Sequence, residues 1–150
     1  MTIFSYRRAG VALMAGLVFW SASAYAVTLI TDDEAKRPND PQLGATRGIT
    51  RGPAIHFEPP ATVPAPHAPF DFHVNFEAHG GAKVDPDHIR ITYLKSPNVD
   101  LTERLRPYIT PEGIDMPAAQ LPLGDHSLHI EVEDTDGRSG EATFTVKVAK

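Results

Sequence analysis

The chain closes on "LPLGDHSLHIEVEDTDGRSGEATFTVKVAK" (residues 121–150), and the spacing of apolar residues in this stretch decides the fold. Leu128, Ile130 and Val132 alternate with Ser127, His129 and Glu131; after "TDGRSG" (135–140) the alternation resumes at Ala142, Phe144, Val146 and Val148. Successive side chains of an extended strand point to opposite faces, so a period of two marks two strands, each with one apolar face. Asp136-Gly137 between them is hairpin-turn chemistry, because glycine takes left-handed backbone angles without steric cost. A hairpin with one apolar face is marginal alone in water and has to bury that face against a second layer.

The same period recurs upstream. "AIHFE" (54–58) places Ile55 and Phe57 on one face, and "PFDFHVNFEA" (69–78) places Phe70, Phe72, Val74 and Phe76 opposite Asp71, His73, Asn75 and Glu77. "HIRITYLK" (88–95) directs Ile89, Ile91 and Tyr93 inward. Between Asn98 and Leu121 the pattern weakens. Residues 101–106 read as a short helical turn, and "GIDMPAAQL" (113–121) as a short strand carrying Ile114 and Met116, confined to an edge by Pro117. "EPPATVPAPHAP" (58–69), with Pro59, Pro60, Pro64, Pro66 and Pro69, reads as a stiff polyproline-like connection. About seven strands with turn signals between them predict an all-β chain, two antiparallel sheets packed as a sandwich over residues 54–150.

Ahead of that domain lie two segments of different character. "MTIFSYRR" is followed by the apolar run "AGVALMAGLVFW" and by "SASAYA", which is the plan of a secretory signal peptide cleaved after Ala26. The apolar run is too short to span a bilayer. Arg7-Arg8 raises twin-arginine export, but Ala9 and Gly10 stand where an aromatic and a leucine are expected, which favours the Sec route. Residues 27–53 show no sustained period and are broken by Pro38, Pro41, Gly44, Gly48, Gly52 and Pro53, so they read as an extended or disordered N-terminal arm.

The charge balance limits the partners. The formal net charge of −5 becomes −7 once Arg7 and Arg8 are removed. No basic stripe remains for nucleic acid or an anionic membrane surface. A chain with no cysteine enters an oxidising compartment without disulfides, so its core has to supply its stability. Together these features predict a soluble periplasmic protein.

Seven histidines invite a metal reading. His73 and His129 fall on strands expected in different sheets, His126 and His129 face opposite ways, and His56 and His67 lie on the first strand and the proline-rich connection. No histidine pair has the spacing of two or four that makes a local ligand set, so no metal or other cofactor is assigned. Met116 is the one methionine beyond the leader, against a copper protein. "EDTDG" (133–137) falls short of a calcium loop, since Gly137 follows Asp136 at once and no closing glutamate is present. Ser127 and Ser139 lack a nucleophile-elbow setting and glycine-rich phosphate loops are missing, which predicts a non-enzyme.

"GDHSLHIEVEDTDG" (124–137) resembles the closing hairpin of bacterial immunoglobulin-like domains of the fibronectin type III and cadherin-like kind. "DPDHIRITYLKSPNVDLTERLRPYITPEGIDM" (85–116) is similar to their middle strands and loop. The likeness covers roughly residues 54–150 and implies an immunoglobulin-like sandwich, while saying little of function. The disulfide and core tryptophan of antibody domains are missing, and Trp20 lies in the leader. The resemblance places His126 where related sandwiches carry a corner tyrosine, implying a structural side chain bonded to a nearby carbonyl. It also implies that loops 79–88 and 135–140 meet at one end, bringing together His79, Asp85, Asp87, His88, Asp136 and Arg138 as a binding end. The resulting expectation is a non-catalytic binding or scaffolding module for another periplasmic or cell-envelope protein, acting through a sheet edge, the loop end or the arm. A copper- or other metal-binding sandwich and an accessory module of a separately encoded exported enzyme are the alternatives.

Overall fold

Phe72 shows why this chain forms two layers. It is fully buried, with Phe57 of its own sheet 5.6 Å away and Phe144 of the facing sheet 6.2 Å away between ring centroids. Phe57 and Phe144 stack at 4.4 Å and 7°. The period-two faces therefore meet across one apolar layer, as burial of two half-apolar sheets requires.

The computed structural model describes residues 26–40, 51–58 and 68–149. The expected leader up to Tyr25, the arm at 41–50 and the proline-rich connection at 59–67, with His67, lie outside the described residues. Among those described, the first sheet runs β2 (Ala54–Glu58), β3 (Phe70–Glu77), β7 (Gly113–Gln120). Two short strands join β7 on its other side: β6 (Ile109–Thr110) at Gly113–Ile114, and β1 (Val27–Thr28), parallel, at Ala119–Gln120. The second sheet is antiparallel throughout, in the order β5 (Val99–Asp100), β4 (Val84–Tyr93), β8 (Gly124–Asp134), β9 (Ser139–Val148). Helix α1 (Asp32–Ala35) follows β1, and α2 (Thr102–Leu105) leads into a 3-10 turn at Arg106–Tyr108. The protein is thus mostly β, in two packed open sheets. No helix among the described residues is long and apolar enough to cross a membrane.

Three expectations change. The strand carrying Ile114 and Met116 is not an edge: β3 pairs with it on one side, β6 and β1 on the other. Pro117 is accommodated by a bulge, where the pairing shifts between Phe70 and Phe72, Ala118 turns to φ 54° and its amide donates to Asp71 Oδ1 at 3.2 Å. A proline that cannot donate to a ladder sits where the ladder is already broken.

The second change concerns the domain boundary. Residues 27–40 lie along the sandwich as an ordered strap. Leu29 and Ile30 are buried in the core. Thr31 and Glu34 form a capping box that starts α1. Glu34 then takes two hydrogen bonds from Arg104, at 2.7 and 2.9 Å, while the same guanidinium donates to the Leu29 carbonyl at 2.8 Å. The segment continues to the end of β4, where Ser96 N donates to Pro38 O and Lys95 Nζ to Asn39 Oδ1. Period analysis misses such a strap, because its apolar pair Leu29-Ile30 is too short to show a period.

The third change is that β4 begins at Val84, four residues before the expected start. Val84 pairs with Asp134 and Ile89 with Val132, so residues 85–88 bulge out opposite the single residue Glu133. Pro86 cannot donate to the ladder, and Asp85 Oδ1 accepts from Asp87 N at 3.0 Å, which turns the backbone locally.

Glycine closes the flank of the sandwich. A Cβ on Gly140 would lie 2.0 Å from Pro53 O, and one on Gly52 the same distance from Ser139 O. Only residues without a side chain let the start of β9 and the approach to β2 come this close.

Candidate functional site

The last hairpin turns on Asp134. Gly137 N donates to Asp134 O at 2.9 Å, and Gly137 takes φ 75°, the position where glycine is favoured. The Asp134 carboxylate points back under the turn and accepts from the amides of Asp136 and Arg138, and from Arg138 Nε at 2.9 Å. Burial opposes its ionisation, but these donors outweigh that cost and hold the carboxyl below its usual value of 3.8. Arg138 Nη2 reaches Asp136 at 2.7 Å and the His79 carbonyl at 2.9 Å. His79, Asp136 and Arg138 therefore gather at one end, tied by a guanidinium that already has its partners.

Asp85, Asp87 and His88 lie on the bulge of β4 that begins beside this turn, where Val84 pairs with Asp134. Because 85–88 is a bulge of β4 rather than an apical loop, they lie back along the strand. His88 Nδ1 is 2.9 Å from Asp85 Oδ2, which raises the pKa of His88 and contributes to lowering that of Asp85, where the Asp87 amide is the larger cause. Asp87 stands 4.0 Å from Arg106. Asp87 and His88 share a groove with Ser139 and Gly140 at the start of β9, and among the described residues no hydrogen bond or ion pair joins Asp85, Asp87 or His88 to His79, Asp136 or Arg138.

Asp87 and His88 instead open onto the outer face of the second sheet. There a groove of about 600 Å³ is lined by them with Arg90, Glu131, Glu133 and Glu141. Register explains the assembly: Arg90, Glu131 and Glu141 face one another across β4, β8 and β9. His129, two residues from Glu131 on the same face, completes a triad: its Nε2 is 3.4 Å from Glu131 Oε1 and 4.0 Å from Glu141 Oε2. Sequence reasoning looked for pairs of histidines and passed over this mixed set. The signal that finds it is a His-x-Glu on one hairpin strand with a glutamate at the cross-strand position.

His126 faces the interior, 2% exposed, with one ring nitrogen 2.8 Å from Pro122 O and the other 2.9 Å from Tyr93 Oη. Burial lowers the pKa of His126 and pushes that of Tyr93 up to about 12. Lys95 Nζ lies 5.4 Å from the Tyr93 ring centre. Each of these polar groups has a partner, with Lys95 Nζ bonded in turn to Asn39 of the N-terminal strap.

The fold defines the class: an all-β protein of two open sheets packed face to face. No family model matches the chain, no curated protein is similar to it, and no solved structure matches it.

Proposed function

We propose that this chain is an exported, non-catalytic binding module of the immunoglobulin-like class, which holds a protein of the cell envelope by strand addition. The observation that carries the reading is β9. It is the last strand of its sheet, ten residues long, and it pairs with β8 along its length. Gly52 and Pro53 crowd its beginning at Ser139–Gly140. From residue 141 to 148 its outer edge has no strand neighbour among the described residues, and such an edge is a template for an extended peptide.

One feature supports the finer class. The three main strands β2-β3-β7 face the four strands β5-β4-β8-β9, so the hairpin-forming last strands sit in the sheet opposite the first; this is the division that the resemblance of 85–137 implies. Export follows from the N-terminal sequence, and cleavage after Ala26 makes Val27, the first residue of β1, the start of the mature chain.

The test is site-specific photocrosslinking of the full chain in a Gram-negative host, with the reactive residue at Thr145 or Lys147 of β9 and, as controls, at Asp71 or Asp115 of the other sheet. The reading requires the same envelope protein to be captured from both β9 positions and from neither control. No adduct at β9, or equal labelling at all four positions, refutes it.

A further inference from the structure

We infer that the outer face of the second sheet carries a binding site for a divalent transition metal of the zinc class, formed by His129 Nε2 and the carboxylates of Glu131 and Glu141. Strand geometry puts the three together. His129 and Glu131 are two residues apart on β8 and share a face, and Glu141 is the cross-strand partner of Glu131. Their ligand atoms all lie within 4.8 Å of one another, with Nε2 at 3.4 Å from Glu131 Oε1 and 4.0 Å from Glu141 Oε2. Ligands at 2.0–2.1 Å from a tetrahedral ion are about 3.3 Å apart, so small rotations of the glutamate side chains complete the set.

Two observations outside the triad favour a cation there. The first is the orientation of the imidazole. Thr143, directly opposite His129 in the register, has its hydroxyl 2.9 Å from Nδ1. With Nδ1–H donating to that oxygen, the Nε2 lone pair is left facing the carboxylates, the arrangement in which an outer hydrogen bond fixes the ring of a metal ligand. The second is charge. Glu131 and Glu141 are directly opposed like charges, an unfavourable cross-strand pair, and Glu133 stands two residues along β8. Arg90 is the register partner of Glu131 on the other side, yet makes no ion pair within 4.0 Å with either glutamate among the described residues; its charge acts on Asp100. A divalent ion relieves this repulsion.

The donor set selects the ion. One imidazole with two carboxylates suits Zn²⁺ or Cu²⁺ and is a poor match for Ca²⁺ or Mg²⁺, which prefer oxygen ligands only. Three protein ligands leave a fourth position, open toward the groove beside Glu133 and His88, for water or an outside ligand.

The experiment is calorimetric titration of the chelator-treated full chain with ZnCl₂ at pH 7, repeated on His129→Ala, Glu141→Gln, Thr143→Val and, as a control at a separate His–Asp pair, His73→Ala. Unfolding melts verify that each variant is folded. The expected result is one saturable Zn²⁺ site per chain, lost in His129→Ala, weakened at least tenfold in Glu141→Gln, weakened about tenfold in Thr143→Val and unchanged in His73→Ala. Absence of saturable binding overturns the inference. So does binding that survives His129→Ala, or that falls equally in His73→Ala.

Discussion

Replacing Arg104 by alanine should lower the melting temperature by about 8–12 °C at neutral pH. Arg104 makes three hydrogen bonds, two to Glu34 and one to the Leu29 carbonyl, and so fastens the N-terminal strap over the end of the sandwich. Removing one partner of a buried pair costs about 3–5 kcal/mol, because the remaining charge is buried without compensation. The Glu34 side chain is 11% exposed and that of Arg104 35%, so solvent screens part of the interaction and about 2–3 kcal/mol is the better figure. At roughly 4 °C per kcal/mol for a domain of this size, the stated shift follows.

The acid limb gives an independent check on the same pair. The Arg104 hydrogen bond is the main cause that takes the Glu34 pKa from 4.5 down to about 2. A carboxylate depressed on folding contributes stability that is complete above its unfolded pKa and is lost as pH falls toward the folded one. The gap between wild type and Glu34→Gln should therefore be constant from pH 7 to about 5 and close between pH 4.5 and 2. Urea or thermal unfolding of both proteins across that range measures it. A shift below 3 °C for Arg104→Ala, or a gap that does not change with pH, would show that the strap is held without the Glu34–Arg104 pair.

Gly140→Ala should destabilise by about 1–3 kcal/mol or more, because its Cβ meets the Pro53 backbone at 2.0 Å and neither strand can withdraw; Gly81→Ala, with open space around it but φ 83°, should cost only about 1 kcal/mol. Phe72→Ala removes the centre of the Phe57–Phe144 cluster and should cost about 3–5 kcal/mol by denaturant unfolding. His126→Ala leaves Tyr93 Oη and Pro122 O without their shared partner, at about 1–3 kcal/mol. Burial lowers the His126 pKa from 6.5, so the unfolded chain binds the proton more readily and stability should fall as pH drops below that value. His126→Gln should flatten that limb, and an unchanged slope would assign it to another group.

Five of the strands were legible because each is long enough for a period of two to repeat, and the apolar members of Phe70–Phe76, Ile89–Tyr93 and Leu128–Val132 all became core. Period carries no information about which strand neighbours which. That is why Pro117 suggested an edge for a strand that has partners on both sides, and why the bulge at 85–88 was read as a loop. The candidate site was harder still. His79, Asp136 and Arg138 are joined through one guanidinium, while the earlier start of β4 sets Asp85, Asp87 and His88 on a bulge beside that turn, a detail that no period in the sequence carries.

From the amino-acid order alone came the β class, the inward faces, the last hairpin with its Asp-Gly turn and the net acidity, because each depends on residues adjacent in the chain or two apart. Tertiary structure decided the rest: the strap that joins Glu34 to Arg104, the glycine contact between residues 52–53 and 139–140, and the meeting of His129 and Glu131 with Glu141. These contacts link residues far apart in sequence, and they are set by register and sheet packing, which form only when the two apolar faces close on each other.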